Sequence, residues 1–143
     1  MKTIRILLTI ALLSGAVSVY TQAETRPLVK VSISFSFTVG KQSLPPGDYT
    51  ISAFHPQLLI QLQSADGKQV GFAGTHPRYA LNPSTKTELI FQRYGSTYFL
   101  NQIWTQGDTS GLELPLSNRA KEMAKNGSSG DATTIVAQAR FSQ

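Results

Sequence analysis

The sequence predicts a mainly β protein: a single antiparallel β-sandwich or partly open barrel of about seven to eight strands, with one short helix near the C-terminus. Three observations carry this expectation. Residues Leu28 to Val39 alternate apolar and polar almost perfectly. Proline, glycine, Asp-Gly and Gly-Ser clusters recur between short apolar runs. Helix formers gather in one place only, between 116 and 127.

The first 23 residues stand apart. Lys2 and Arg5 make a positive start, Ile6 to Val17 is an apolar run, and Thr21-Gln22-Ala23 ends in a small-x-small pattern. That is the build of a secretory signal peptide, so the expectation is cleavage after Ala23, with Ala16 as the second choice. The run is shorter than the roughly 20 apolar residues of a spanning helix, so no membrane span is expected after cleavage. Residues 24–143 then form a single β-rich domain, exported to the periplasm or beyond. With no cysteine there is no lipid attachment, disulfide, thiolate nucleophile or Cys-based metal site.

The chain has 13 Lys and Arg against 8 Asp and Glu. The leader holds two of the bases and no acid, which leaves a charge of about +3 spread along the rest. No basic stripe suits nucleic acid.

Each element follows in order. In Leu28–Val39, Val29, Val31, Ile33, Phe35, Phe37 and Val39 fall on one face, with Lys30, Ser32, Ser34, Ser36 and Thr38 on the other. This is one long half-buried strand. Gly40 ends it. Pro45, Pro46, Gly47 and Asp48 turn the chain, and Tyr49 anchors the next strand, its ring packed and its hydroxyl at a wet rim. Strands follow at 49–54 and 58–64, then an Asp66-Gly67 hairpin, then 69–75 with Val70 and Phe72 sharing one parity. Residues 76–85 read as a loop with two prolines. Residues 87–94 and 97–105 form a second hairpin about Gly95-Ser96, and both faces of its second strand are apolar, so that strand is central or bulged. After a loop at 106–111 come a helix at about 117–125 with Ser117 as N-cap, a flexible linker at 126–131 and a last strand within 132–141. The expected core includes Val31, Ile33, Phe35, Phe37, Ile51, Leu62, Phe72, Phe91, Leu100 and Trp104.

The stretches "FSFTVGKQSLPPGDYTI" and "FQRYGSTYFLNQIWTQGDTSGLELPLSNRAKEMA" resemble a group of short secreted bacterial proteins of unassigned function. The shared patterns are L-P-x-G-x-Y-T and R-Y-G-x-x-Y-F-L followed by a tryptophan, over most of Ser34 to Ala124. The resemblance implies a compact exported β-domain and carries no chemistry.

No catalytic constellation stands out. His55 and His76 each precede a proline and have no third ligand at metal-site spacing. No serine sits in a G-x-S-x-G elbow, and the glycines of 67–74 lie between strands rather than before a helix. The leading expectation is therefore a non-catalytic exported β-domain with a binding or envelope-structural role and no cofactor. Its partner would be envelope polysaccharide or another exported protein. The alternative is a small secreted hydrolase or metal-dependent enzyme using His55 or His76. The candidate ligand surface is the aromatic hairpin: Arg93, Tyr94, Tyr98 and Trp104. Simple alternation places Tyr98 and Trp104 on one side, about 20 Å apart. The competing reading makes the same rings core.

Overall fold

The computed structural model describes residues 24–55, 58–126 and 135–138. The expected leader and most of the expected linker lie outside them. The strands are β1 (Glu24–Ile33), β2 (Phe37–Val39), β3 (Gln42–Leu44), β4 (Gly47–His55), β5 (Leu59–Ser64), β6 (Val70–Gly74), β7 (His76–Tyr79), β8 (Glu88–Tyr94), β9 (Thr97–Trp104), β10 (Ser110–Glu113) and β11 (Ile135–Gln138). One helix, α1 (Asn118–Lys125), follows β10. A four-stranded sheet runs β1-β4-β5-β6, and the second sheet runs β11-β8-β9-β10-β7 with the β2–β3 ribbon joined to β9. Each sheet keeps its edges, so the architecture is a sandwich rather than a closed barrel. It holds more strands than expected.

The expected single strand over 28–39 is two strands in different sheets. Val29, Val31 and Ile33 point inward from β1, while Phe37 and Val39 point inward from β2. Residues 34–36 carry the chain from one sheet to the other, and the half-buried Phe35 plugs the corner. Strands that change sheets at a bend form the corners of such sandwiches. Phe35 lies 4.5 Å from Tyr98 and 5.1 Å from Phe91, and Phe91 meets Phe37, which meets Tyr49 at 5.3 Å. Five rings thus cross the molecule from sheet to sheet. Edge-to-face contacts of this kind add about 0.5–1.5 kcal/mol each to simple burial.

Phe72, expected in the core, is 51% exposed. The inward residues of β6 are Gly71 and Ala73. The reason is the β2–β3 ribbon: a Cβ on Gly71 would stand 3.1 Å from Leu44 Cδ1 and 3.8 Å from Val39 Cβ. Only small residues fit beneath the ribbon, so the large one faces out.

Strand β9 is central, as its two apolar faces suggest. β8 lies along one side of it. On the other side β2 runs parallel beside Tyr98 and Phe99, and β10 pairs with Gln102 and Ile103. Asn101 falls between these two partners and is skipped in the β8 register, where Phe91 faces Leu100 and Ile90 faces Gln102. This buried residue is satisfied: its backbone oxygen accepts from Leu114 N–H at 2.7 Å, and its Nδ2 donates to Leu114 O at 3.3 Å. The bulge inverts the parity of everything after it.

Residues 76–85 and 106–111, expected as loops, contain β7 and the first half of β10, which pair with each other. Every residue of β7 is exposed and one is proline, so the sequence there shows no alternation. Helix α1 starts where expected: Ser117 Oγ accepts from Ala120 N–H at 3.2 Å, and Ala120 is its buried residue. It lies against β8. β11 pairs with β8 as the far edge strand.

Candidate functional site

The best-formed concavity is an end cleft of about 300 Å³. Ile103 and Leu112 supply apolar lining from the larger sheet, Leu28 from β1, Leu58 from the β4–β5 connection, and Pro77 and Tyr79 from β7. Thr105, Asp108 and Ser110 add polar groups. The volume is at the lower end of what small-ligand sites use.

Local structure builds this cleft at some cost. Leu58 has φ of 51°, the left-handed region that a bulky side chain avoids. Its carbonyl accepts from both Thr75 N–H (2.7 Å) and Thr75 Oγ1 (3.0 Å), which fixes the strained turn to the crossing from β6 to β7. Tyr79 is 76% exposed at the rim. Backbone bonds from Ala80 to Thr109, Ser84 to Asp108 and Gly107 to Ser84 tie the segment after β7 to the loop that carries Asp108. Gly111 is required for close packing, since a Cβ there would lie 2.7 Å from two carbons of the Trp104 ring. The Arg78–Glu113 ion pair (2.9 Å) spans the exposed β7–β10 ribbon.

The aromatic hairpin is divided by the sheet. Arg93 and Tyr98 face each other across β8 and β9, with the guanidinium 5.5 Å from the centre of the Tyr98 ring. Arg93 Nε also donates to Gly95 O at 2.7 Å, which holds the turn. Tyr98 packs on Phe35 from its other side. The register places Tyr94 and Trp104 on the opposite face: Tyr94 meets Phe99 at 5.9 Å and donates to Gln92 Oε1, while Trp104 is 8% exposed and donates from Nε1 to Gln102 Oε1 at 2.9 Å. The expectation that Tyr98 and Trp104 share a side is therefore corrected. Alternation fails at the Asn101 bulge.

Tyr49 is the anchor that the turn residues suggest. Its ring is 2% exposed and its hydroxyl donates to Pro45 O at 2.6 Å, closing the proline corner on itself. Burial, with a smaller contribution from the Asp66 carboxylate, pushes its pKa up. Asp66 is held below the usual carboxylate range by the hydroxyl of Ser64 and then by Lys68 N–H.

The two histidines stand toward one end of the sandwich. Phe54 pairs with Leu59, Leu59 pairs with Gly74, and Thr75 bonds Leu58, so the end of β4 and the start of β7 lie at the same end with β5 between them. The His55 side chain lies outside the described residues. His76 is exposed opposite Glu113, whose carboxylate is taken by Arg78. Among the described residues no group of three or more His, Cys, Asp or Glu could hold a metal ion, and no helix is long and apolar enough to cross a membrane.

The cleft residues Leu58, Pro77, Tyr79 and Asp108 were not singled out by sequence. The available signal was two large apolar residues, Tyr79 and Leu81, inside a proline-flanked polar segment. Comparison with family models, curated proteins and solved structures gives no match, so the cysteine-free β-sandwich and its end cleft stand on their own geometry.

Proposed function

We propose that the chain is a non-catalytic exported binding domain, and that its end cleft receives an extended segment of another exported protein. The observation that carries this reading is a preformed apolar cleft beside an open edge strand. β7 is the last strand of its sheet, and its Pro77 and Tyr79 line the cleft. An extended peptide can pair with such an edge while one side chain enters the hollow. Asp108 favours a segment with a basic residue beside the apolar one. Export rests on the leader-like residues 1–23. Membership of the secreted group with the R-Y-G-x-x-Y-F-L pattern is part of the same proposal.

A short synthetic peptide of alternating valine and lysine tests the reading by fluorescence titration, with a neutral N-acetylglucosamine oligomer in parallel. Saturable peptide binding that Tyr79→Asp abolishes is the expected result. Binding of the sugar oligomer that survives Tyr79→Asp but not Tyr98→Ala would move the function to the hairpin and a polysaccharide. The second reading, an enzyme at His55 or His76, has in its favour that the fold brings both backbone positions toward one end. Ester or peptide hydrolysis lost in His76→Ala would establish it instead.

A further inference from the structure

The outer face of the four-stranded sheet is solvated and nearly without charge. β5 and β6 carry no charged residue, and β4 carries one carboxylate, Asp48, near its first end. Lys30 of β1, opposite Thr50, borders the face on the other side. The chain holds 13 Lys and Arg and 8 Asp and Glu, so the neutrality is a matter of placement rather than composition. The inward residues of β4, β5 and β6 are buried, whereas none of the outward ones from Thr50 to Gly74 is.

The register arranges these outward side chains in rows. Ser52 pairs with Gln61 and Gln61 with Phe72, so the three stand in one line across the strands. Gln63 and Val70 make the next row on one side, and Leu59 flanks the line on the other. Phe72 is the most prominent member, with half its surface exposed. The strand beneath it is braced: the turn at Gly40 lies so close that a Cβ there would stand 3.0 Å from the Phe72 carbonyl oxygen.

These residue types and the size of the patch point to one kind of occupant. A carboxamide both donates and accepts, as a sugar hydroxyl does, and it offers no charge to hold an ion. A phenylalanine ring beside two carboxamides gives the apolar C–H face of a sugar ring something to stack on. The backbone groups of β5 are used on both sides in the ladders to β4 and β6, so recognition at the centre of the face falls to side chains. Three strands about 4.8 Å apart, each with three outward residues about 7 Å apart, make a patch of roughly 300 Å². A stable protein interface takes about 800 Å² from each partner, so the patch is too small for a second copy of this chain and suits a narrow chain instead.

We propose that this face binds an uncharged polysaccharide. One sugar ring stacks on Phe72, and its neighbours exchange hydrogen bonds with Gln61, Gln63 and Ser52 as the chain crosses the strands. The face shares no lining residue with the end cleft, so sugar binding here and peptide binding there succeed or fail separately.

The test is an amide chemical-shift titration of the whole protein with linear hexamers of N-acetylglucosamine and of glucose. Single glucose, polygalacturonate and the valine–lysine peptide serve as comparisons at constant ionic strength. At least one neutral hexamer should give saturable shifts at Ser52, Gln61, Gln63 and Phe72, with glucose far weaker. Phe72→Ser should weaken that hexamer about tenfold while the melting temperature holds level, because the ring faces out. Gln61→Ala should weaken it severalfold, and Tyr79→Asp and Tyr98→Ala should leave it unchanged. No saturable shift on this face with either hexamer overturns the proposal, as does equal binding by Phe72→Ser and the parent. Polygalacturonate binding as tightly as the hexamers overturns the assignment to an uncharged chain. Peptide shifts on this face, or a dimer that Phe72→Ser abolishes, would make it a protein interface instead.

Discussion

Tyr49 shows how much one side chain does in a protein with no disulfide to close its corners. The ring sits in the core while the hydroxyl bonds Pro45 O, so the corner between β3 and β4 is fastened at both ends. Tyr49→Phe is expected to cost about 1 kcal/mol in urea unfolding, the usual worth of such a bond. The pH dependence follows from the raised pKa. The folded state holds the phenol protonated more firmly than the unfolded state does, so this stabilisation is complete below the ordinary value of 10.0 and is lost as pH rises through the folded value. The alkaline fall in stability should be shallower in Tyr49→Phe than in the parent. Asp66 has the opposite sign. Its lowered pKa stabilises the fold above the ordinary value of 3.8, and the effect is lost as pH falls through the folded value, so Asp66→Asn should flatten part of the acid limb. The Tyr49 anchor was legible because proline, glycine and aspartate have mechanical meanings in a turn. The burial of Thr38 was not, since one threonine on the polar parity of a strand looks like any other.

At the scale of elements, the clearest departures from the sequence reading share a cause. Alternation records which side chains face the core, and in a sandwich both sheets face the same core. A strand that leaves one sheet and enters the other keeps its parity, so residues 28–39 read as continuous. On β6 the inward positions are glycine and alanine, which carry no apolar signal, and the outward Phe72 takes their place in the pattern. On β9 one extra residue, Asn101, reverses the faces and separates Trp104 from Tyr98. The end cleft depends on β7 and β10, which show no alternation, so it was the least legible part of the molecule. The β6 packing gives a direct test. Gly71→Val is expected to lose about 1–3 kcal/mol by crowding Leu44 and Val39, whereas Phe72→Ser should stay within about 0.5 kcal/mol of the parent. Equal effects in a denaturant titration would contradict the placement of the ribbon over β6.

The whole molecule is a two-sheet sandwich with a shared core and no cysteine. Its midpoint of unfolding should therefore be the same with and without a reducing agent, a comparison that a disulfide-dependent exported domain fails. If residues 1–23 are the leader proposed above, expression of the full sequence should yield a mature chain whose mass starts at Glu24. A chain that keeps Met1 would remove the basis for export.

The change of sheet between β1 and β2 also sets an order of events as the chain emerges. All strands of the four-stranded sheet lie within 24–74, and each neighbouring pair can meet as soon as it is made. β2 lies within that same stretch, but its parallel partner β9 begins only at Thr97. Until that strand arrives, Phe37, Val39 and Leu44 lack the larger sheet that completes their burial. A growing chain thus carries a sticky half-sandwich for some 20 residues of further synthesis at least, and that interval is when a holding chaperone has most to protect. A chain stopped at Gly74 should accordingly bind an apolar dye that the full chain excludes.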